Sequence, residues 1–140
     1  MSKTGQEIED DVYGFVKDSP LALLISGDVY KDGVRPRDSE KEDAIVKFVT
    51  GYDGADPIQG GTVVINIYVP DADPYKNGVL VRDIKRCKEI EIAANEWVES
   101  FTVAKSNYKF KKAQTICTVA EPDINQHFVS IRLRFKLTTF

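Results

Sequence analysis

The sequence predicts an α+β fold, a mainly antiparallel sheet with two helices packed on one face in the order α-β-β-β-α-β-β. Three observations carry that reading. The chain opens on a capped amphipathic segment. An apolar stripe at alternating steps of three and four runs from roughly Leu80 to Phe101. Several other runs alternate with period two, most cleanly from Val129 to Leu137. Period 3.6 marks a helix with one buried face and period two a half-buried strand. Strand runs that flank a helix place the helices against an antiparallel sheet.

At the start, Thr4-Gly5-Gln6-Glu7 has the form of a capping box. The Thr hydroxyl accepts from the Glu7 amide and the Glu7 carboxylate reaches back. Ile8, Val12, Phe15 and Val16 then form one apolar face, and Glu7, Glu9, Asp10 and Asp11 lie near the positive end of the helix dipole. Ser19-Pro20 restarts the chain as cap and first helical residue of a short helix through Ile25, ended by Gly27. Asp32-Gly33 signals a tight turn between Val29-Tyr30 and Val34. The segment from Arg35 to Lys41 has no period and reads as loop.

Ala44 to Val49 is the second strand. The breaker-rich stretch from Gly51 to Gly61 reads as a long loop. Val63, Ile65, Ile67 and Val69 are the inward row of the third strand, with Thr62, Asn66 and Tyr68 on the other face. A turn-rich connection from Asp71 to Gly78 leads to the main helix. Its stripe is Leu80, Ile84, Cys87, Ile90, Ala94, Trp97, Val98 and Phe101, with Trp97 in or near the core. Tyr108, Phe110, Ile116 and Val119 mark one further strand, with a phase slip or bulge near Lys112 to Gln114. After a turn at Glu121 to Asn125, Val129, Ile131, Leu133, Phe135 and Leu137 face the core of the last strand. Arg132, Arg134 and Lys136 face away from it.

A length of 140 residues fits one domain, 1–140, with a core of its own. An apolar share of 42% against 29% charged fits a packed globule rather than a disordered chain. The net charge of −3 argues against nonspecific nucleic-acid binding by the chain as a whole, but leaves room for a local basic strip. No apolar run is long enough to cross a bilayer, and the opening residues lack the hydrophobic core of a secretory signal. A reducing cytoplasm is expected, with Cys87 and Cys117 as buried small apolar residues rather than a disulfide.

Reaction chemistry is hard to find. His127 is the single histidine, without Cys or His at ligand spacing, and reads as a structural residue at a strand start. Asp71-x-Asp73 lacks the remaining positions of a calcium loop. Asp53 and Asp56 sit in Asp-Gly and Asp-Pro contexts, which favour turn formation over acid–base work. Phosphate loops, dinucleotide fingerprints and nucleophile elbows are missing from the sequence. The expectation is therefore a protein that is not an enzyme, with no catalytic residue, cofactor or metal.

Two features remain. Lys109, Lys111 and Lys112 lie on one strand and Arg132, Arg134 and Lys136 on the next. If the two pair, they form a basic strip that could meet phosphates, acidic patches on neighbouring subunits, or only solvent. The loops are the second feature, because long loops are often functional or disordered. There Arg35, Arg37, Tyr52, Ile58, Gly60 and Gly61 are candidate docking residues, or parts of plain connections.

One further reading comes from order and loose motif. The chain has an opening helix, Val29-Tyr30-Lys31 leading to Arg35-Pro36, the acidic step Glu42-Asp43 into an apolar strand, and a strand ending Val69-Pro70. In these features it resembles the tail-terminator and tail-completion (minor tail, neck) proteins of long-tailed bacteriophages. The resemblance implies a structural virion or prophage protein, assembled in the host cytoplasm and carried in the tail. Such a protein forms an oligomeric ring, commonly a hexamer, that caps the tail tube and joins it to neck and connector proteins. DNA passes through the lumen and no membrane is involved. The strip would then face the lumen or the adjacent subunit. The alternative is a small cytoplasmic α+β binding module that recognises a protein or small ligand through its open sheet face.

Overall fold

The computed structural model describes residues 2–54, 58–101 and 107–138. The first helix, α1 (Gly5–Lys17), begins with the reciprocal cap read from the sequence. Thr4 Oγ1 accepts from the Glu7 amide, and the Glu7 carboxylate accepts from the Thr4 amide at 3.1 Å. Ile8, Val12 and Val16 are buried along one face of it. The short helix α2 (Pro20–Leu24) starts on proline. The Ser19 hydroxyl does not cap it; it donates back to the Val16 carbonyl at 2.5 Å.

The strands are β1 (Val29–Lys31), β2 (Ala44–Asp53), β3 (Ile58–Pro70), β4 (Tyr108–Lys112), β5 (Cys117–Glu121) and β6 (Gln126–Thr138), with the main helix α3 (Ile84–Ser100) between β3 and β4. They form a six-stranded sheet in the order β1-β2-β3-β6-β4, with β5 also paired to β6. All pairs are antiparallel except β1 with β2. The fold is α+β, as the sequence predicts.

Four local expectations are corrected. The turn at Gly33 exists, with φ +81°, but it does not close a hairpin. Val29 lies opposite Ala44 in a parallel pair, while Val34 is exposed and forms no returning strand.

The segment from Gly51 to Gly61 is mostly hairpin arm rather than loop. Gly51 pairs with Gly61, Tyr52 with Gly60 and Asp53 with Gln59, after a bulge between Phe48 and Thr50. The glycines serve close approach here: a Cβ on Gly61 would overlap the Thr50 carbonyl. Asp56 lies outside the described residues.

The third correction concerns the strand expected to slip near Lys112 to Gln114. It is two strands, β4 and β5, which pair with different stretches of β6. Finally, the helix begins at Ile84 because Asp83 caps it, accepting from the Arg86 amide at 3.1 Å. Leu80 and Ile84 are therefore exposed, and the buried stripe is Cys87, Ile90, Ala94 and Val98, with Trp97 partly buried against the core.

The core lies between the helices and one sheet face. Val63, Ile65, Ile67 and Val69 of β3 and Val129, Ile131, Leu133, Phe135 and Leu137 of β6 all face it and are buried. Each of those positions leaves its chain neighbours on the opposite face.

Candidate interaction face of the sheet

On the face away from the helices, strand register gathers cations into rows. Lys109 lies opposite Lys136 and Lys111 opposite Arg134. Across β6 the rows continue to Gly60 and Thr62 of β3, and then to Tyr52 and Thr50 of β2. A third row runs Lys47, Val64, Arg132. Lys47, Lys109, Lys111, Arg134 and Lys136 are exposed and Arg132 is half-buried.

Among the described residues none of these cations makes an ion pair. Elsewhere many cations are matched, as in Lys31–Asp10 at 2.5 Å and Arg86–Glu42 at 2.6 Å. A depression of about 630 Å³ opens among Thr50, Tyr52, Thr62, Lys111, Arg134 and Lys136, and Phe110 and Phe135 also line it.

Lys112 does not belong to the strip. It pairs in register with the inward Leu133. Its ammonium therefore reaches α3, donating to Asn95 Oδ1 at 2.5 Å and Glu99 Oε1 at 3.2 Å.

The docking residues are placed in three different ways. Arg37 is exposed on its loop, and Ile58 is exposed at the start of β3. Tyr52, Gly60 and Gly61 belong to strands, and the exposed Tyr52 side chain packs over Gly60, where an added Cβ would lie 2.7 Å from its hydroxyl. Arg35 is an internal clamp. Its Nε donates to Asp43 Oδ2 at 2.9 Å, with both side chains buried. One Nη donates to Gln126 Oε1 at 2.9 Å, and the guanidinium stacks 4.4 Å from the centre of the Tyr68 ring. Tyr68 lies opposite Phe128 on the outward face, so Arg35 and its loop seal that end of the sheet.

Asp43 holds the clamp electrostatically. Burial pushes its carboxyl pKa up, but hydrogen bonds from the Ser39 hydroxyl, the Asp28 amide and Arg35 outweigh burial and leave it below its ordinary value. Gly27 makes room for this carboxylate, since a Cβ there would overlap Asp43 Oδ1. The neighbouring Glu42 takes Arg86 in a bidentate pair, at 2.6 and 2.8 Å, and Arg86 also donates to the Leu24 carbonyl at 2.6 Å. The hydrogen bond to Glu42 raises the Arg86 pKa. Adjacent acids thus lock opposite sides of the molecule. The step Glu42-Asp43 is plain in the sequence, but its partners are not, since Arg35 lies eight residues before Asp43 and Arg86 forty-four after Glu42.

The remaining polar candidates have structural partners. His127 Nδ1 lies 2.7 Å from Asp71 Oδ1. Asp73 accepts from the amides of Asn77 and Gly78 and so forms a turn. Asp53 lies within the hairpin arm. Cys87 and Cys117 are free thiols; Cys87 is buried, which pushes its pKa up, whereas Cys117 on β5 is half-buried rather than buried as expected. Among the described residues no three His, Cys, Asp or Glu side chains group as metal ligands, and no helix is long and apolar enough to cross a membrane. No protein-family model matches this chain, and no curated protein matches it.

Proposed function

We propose that this chain is a ring-forming assembly protein of the phage tail-terminator type, which caps or completes a tail tube and joins it to the neck. The observation that supports the reading best is the state of the two sheet edges. Beyond Val46, β2 has no outer partner among the described residues, because β1 pairs only with Ala44–Val46. At the other edge β4 pairs, among the described residues, only with β6. The strands β2, β3, β6 and β4 alternate in direction. A second copy that adds its β2 to β4 therefore continues the antiparallel sheet.

Such strand addition draws its affinity from main-chain hydrogen bonds. It joins different surfaces of the two copies, and head-to-tail contacts of that kind close into rings when the rotation permits. The ring size, tail-tube location and neck partners come from the resemblance in sequence order.

The ladder identifies a variant that tests the edge. Asn107 O accepts from the Thr138 amide and the Ala113 amide donates to Arg132 O. By the period of two, Lys109 and Lys111 bond inward to β6, while the amides of Phe110 and Lys112 point out from the sheet. Lys112→Pro removes an outward donor without touching the inner ladder. The wild-type protein should form rings visible by electron microscopy and a concentration-dependent oligomer in sedimentation. Lys112→Pro should remain folded by circular dichroism and sediment as a monomer, with Lys112→Ala still assembling. A wild-type protein that stays monomeric at millimolar concentration and is not retained on tail tubes would overturn the proposal.

A further inference from the structure

We infer that the open end of the outward sheet face is a binding site for the phosphate backbone of a nucleic acid. The inference rests on that face alone and is independent of how copies associate. Lys109 and Lys136 stand directly opposite one another, as do Lys111 and Arg134. Like charges in that position destabilise a sheet. The cost is not relieved within the molecule, for no described carboxylate pairs with them. The chain as a whole is acidic, at −3, so the strip is a local concentration of charge.

Its spacing suits a linear polyanion. Same-face residues recur about every 6.8 Å along a strand, and neighbouring strands lie about 4.8 Å apart. The three rows thus make a ladder of cations. Hydroxyls of Thr50 and Thr62 lie in the same depression as donors to phosphate oxygens, and the Tyr52 ring at its rim offers a stacking surface. Gly60, between Tyr52 and Lys136 in the row, has no side chain and so leaves room for the Tyr52 ring to lie over it.

The composition favours phosphate over an acidic protein partner. Four of the six cations are lysines (Lys47, Lys109, Lys111 and Lys136). Lysine is depleted at protein–protein interfaces, whereas as a flexible point charge it binds phosphate well. Val64 is buried, and the exposed Tyr52 offers a ring that stacks on any base. Binding should therefore be electrostatic and indifferent to sequence.

The test is fluorescence anisotropy of the full chain with labelled 20-nucleotide single-stranded and duplex DNA, titrated across salt. Affinity should fall linearly in log–log form, with a slope of about −0.9 per phosphate contacted on duplex or about −0.7 on single strands. The double variant Arg134→Glu with Lys136→Glu should remain folded by circular dichroism, bind about a hundredfold more weakly and flatten the duplex slope by about two. The milder Arg134→Gln with Lys136→Gln should flatten it equally. Lys85→Glu with Lys88→Glu, exposed on α3, should change neither.

Three results would overturn the inference. The wild type could fail to bind either DNA at 50 mM salt, on the order of the low-salt range where phosphate contacts are strongest. Inorganic phosphate could displace the DNA at equal phosphate concentration, which would indicate a simple anion site. The double variant could lose self-association but keep its DNA, which would assign the strip to an acidic surface of another copy.

Discussion

The two faces of the sheet are made from the same strands and could hardly differ more. On β6, Val129, Ile131, Leu133, Phe135 and Leu137 are buried under the helices, while Arg132, Arg134 and Lys136 alternate with them on the outside. The inward face is satisfied within the chain. The outward face is itself divided. At one end Arg35 crosses Tyr68 and bonds Asp43 and Gln126, so the chain covers its own surface. At the other end, cations stand opposite cations and nothing described covers them. A loop that seals one end of a face shows that the chain can cover such a surface. Leaving the charged end open is what a surface for an external partner requires.

The largest expected effect breaks the inward face. Leu133 is 2% exposed and sits between Val63 and Lys112 in the ladder. Leu133→Asp places a carboxylate in the core, at a cost of several kcal/mol. Against a total stability of about 5–15 kcal/mol this should leave the chain largely unfolded at room temperature. Arg134→Asp, one residue further along, reverses a charge opposite Lys111 and should melt at or slightly above the wild type. Melting curves of the two variants check the assignment of faces; a cooperative, native-like melt for Leu133→Asp would mean that the row points outward.

A smaller loss should come from unsealing the closed end. Arg35→Ala strands the buried Asp43 carboxylate, and removing one partner of a buried pair costs about 3–5 kcal/mol. The pH dependence follows from the direction of the shift. Asp43 has a folded pKa below its ordinary value of 3.8, so its contribution is present above that value and is lost as pH falls through the folded pKa. The stability gap between wild type and Arg35→Ala should therefore be widest near neutrality and narrow below about pH 4. Urea titrations across that range measure it. A gap that widens on acidification would show that Arg35 does not act through the Asp43 charge.

Much of this contrast was legible in the sequence because it is periodic. A residue's parity on β6 fixes its face, so the inward Leu133 row and the outward Arg134 row could be read without coordinates. Helix α1 was legible because its cap is local. What escaped depends on long-range pairing. Gly51 to Gly61 has the composition of a loop, and only the match of Gly61 with Gly51, and of Gly60 with the Tyr52 ring, makes it an arm. Arg35 looked like a loop cation because Asp43 and Gln126 reach it through the fold. Lys112 looked like part of the strip because a phase slip was expected there, whereas β4 keeps its register through Lys112 and sets it with Tyr108 and Phe110 on the inward parity.

The smallest effect is the most discriminating, because stability and binding should move in opposite directions. Lys136 faces Lys109 and lies outside the core. Lys136→Glu turns a like-charge cross-strand pair into an opposite one, an exchange worth about 0.2–1 kcal/mol in favour of the fold. For a domain of this size that is a rise in Tm of about 1–5 °C. The same change removes one phosphate contact and should flatten the duplex salt slope by about 0.9. A surface that exists only for solubility has no reason to keep a pair that weakens its own sheet, so a more stable variant that has lost DNA affinity would identify the repulsion as a cost borne for binding. Thermal melts and salt titrations on the same preparation decide it, since a variant that melts lower, or that binds DNA with an unchanged slope, separates the strip from the role assigned to it.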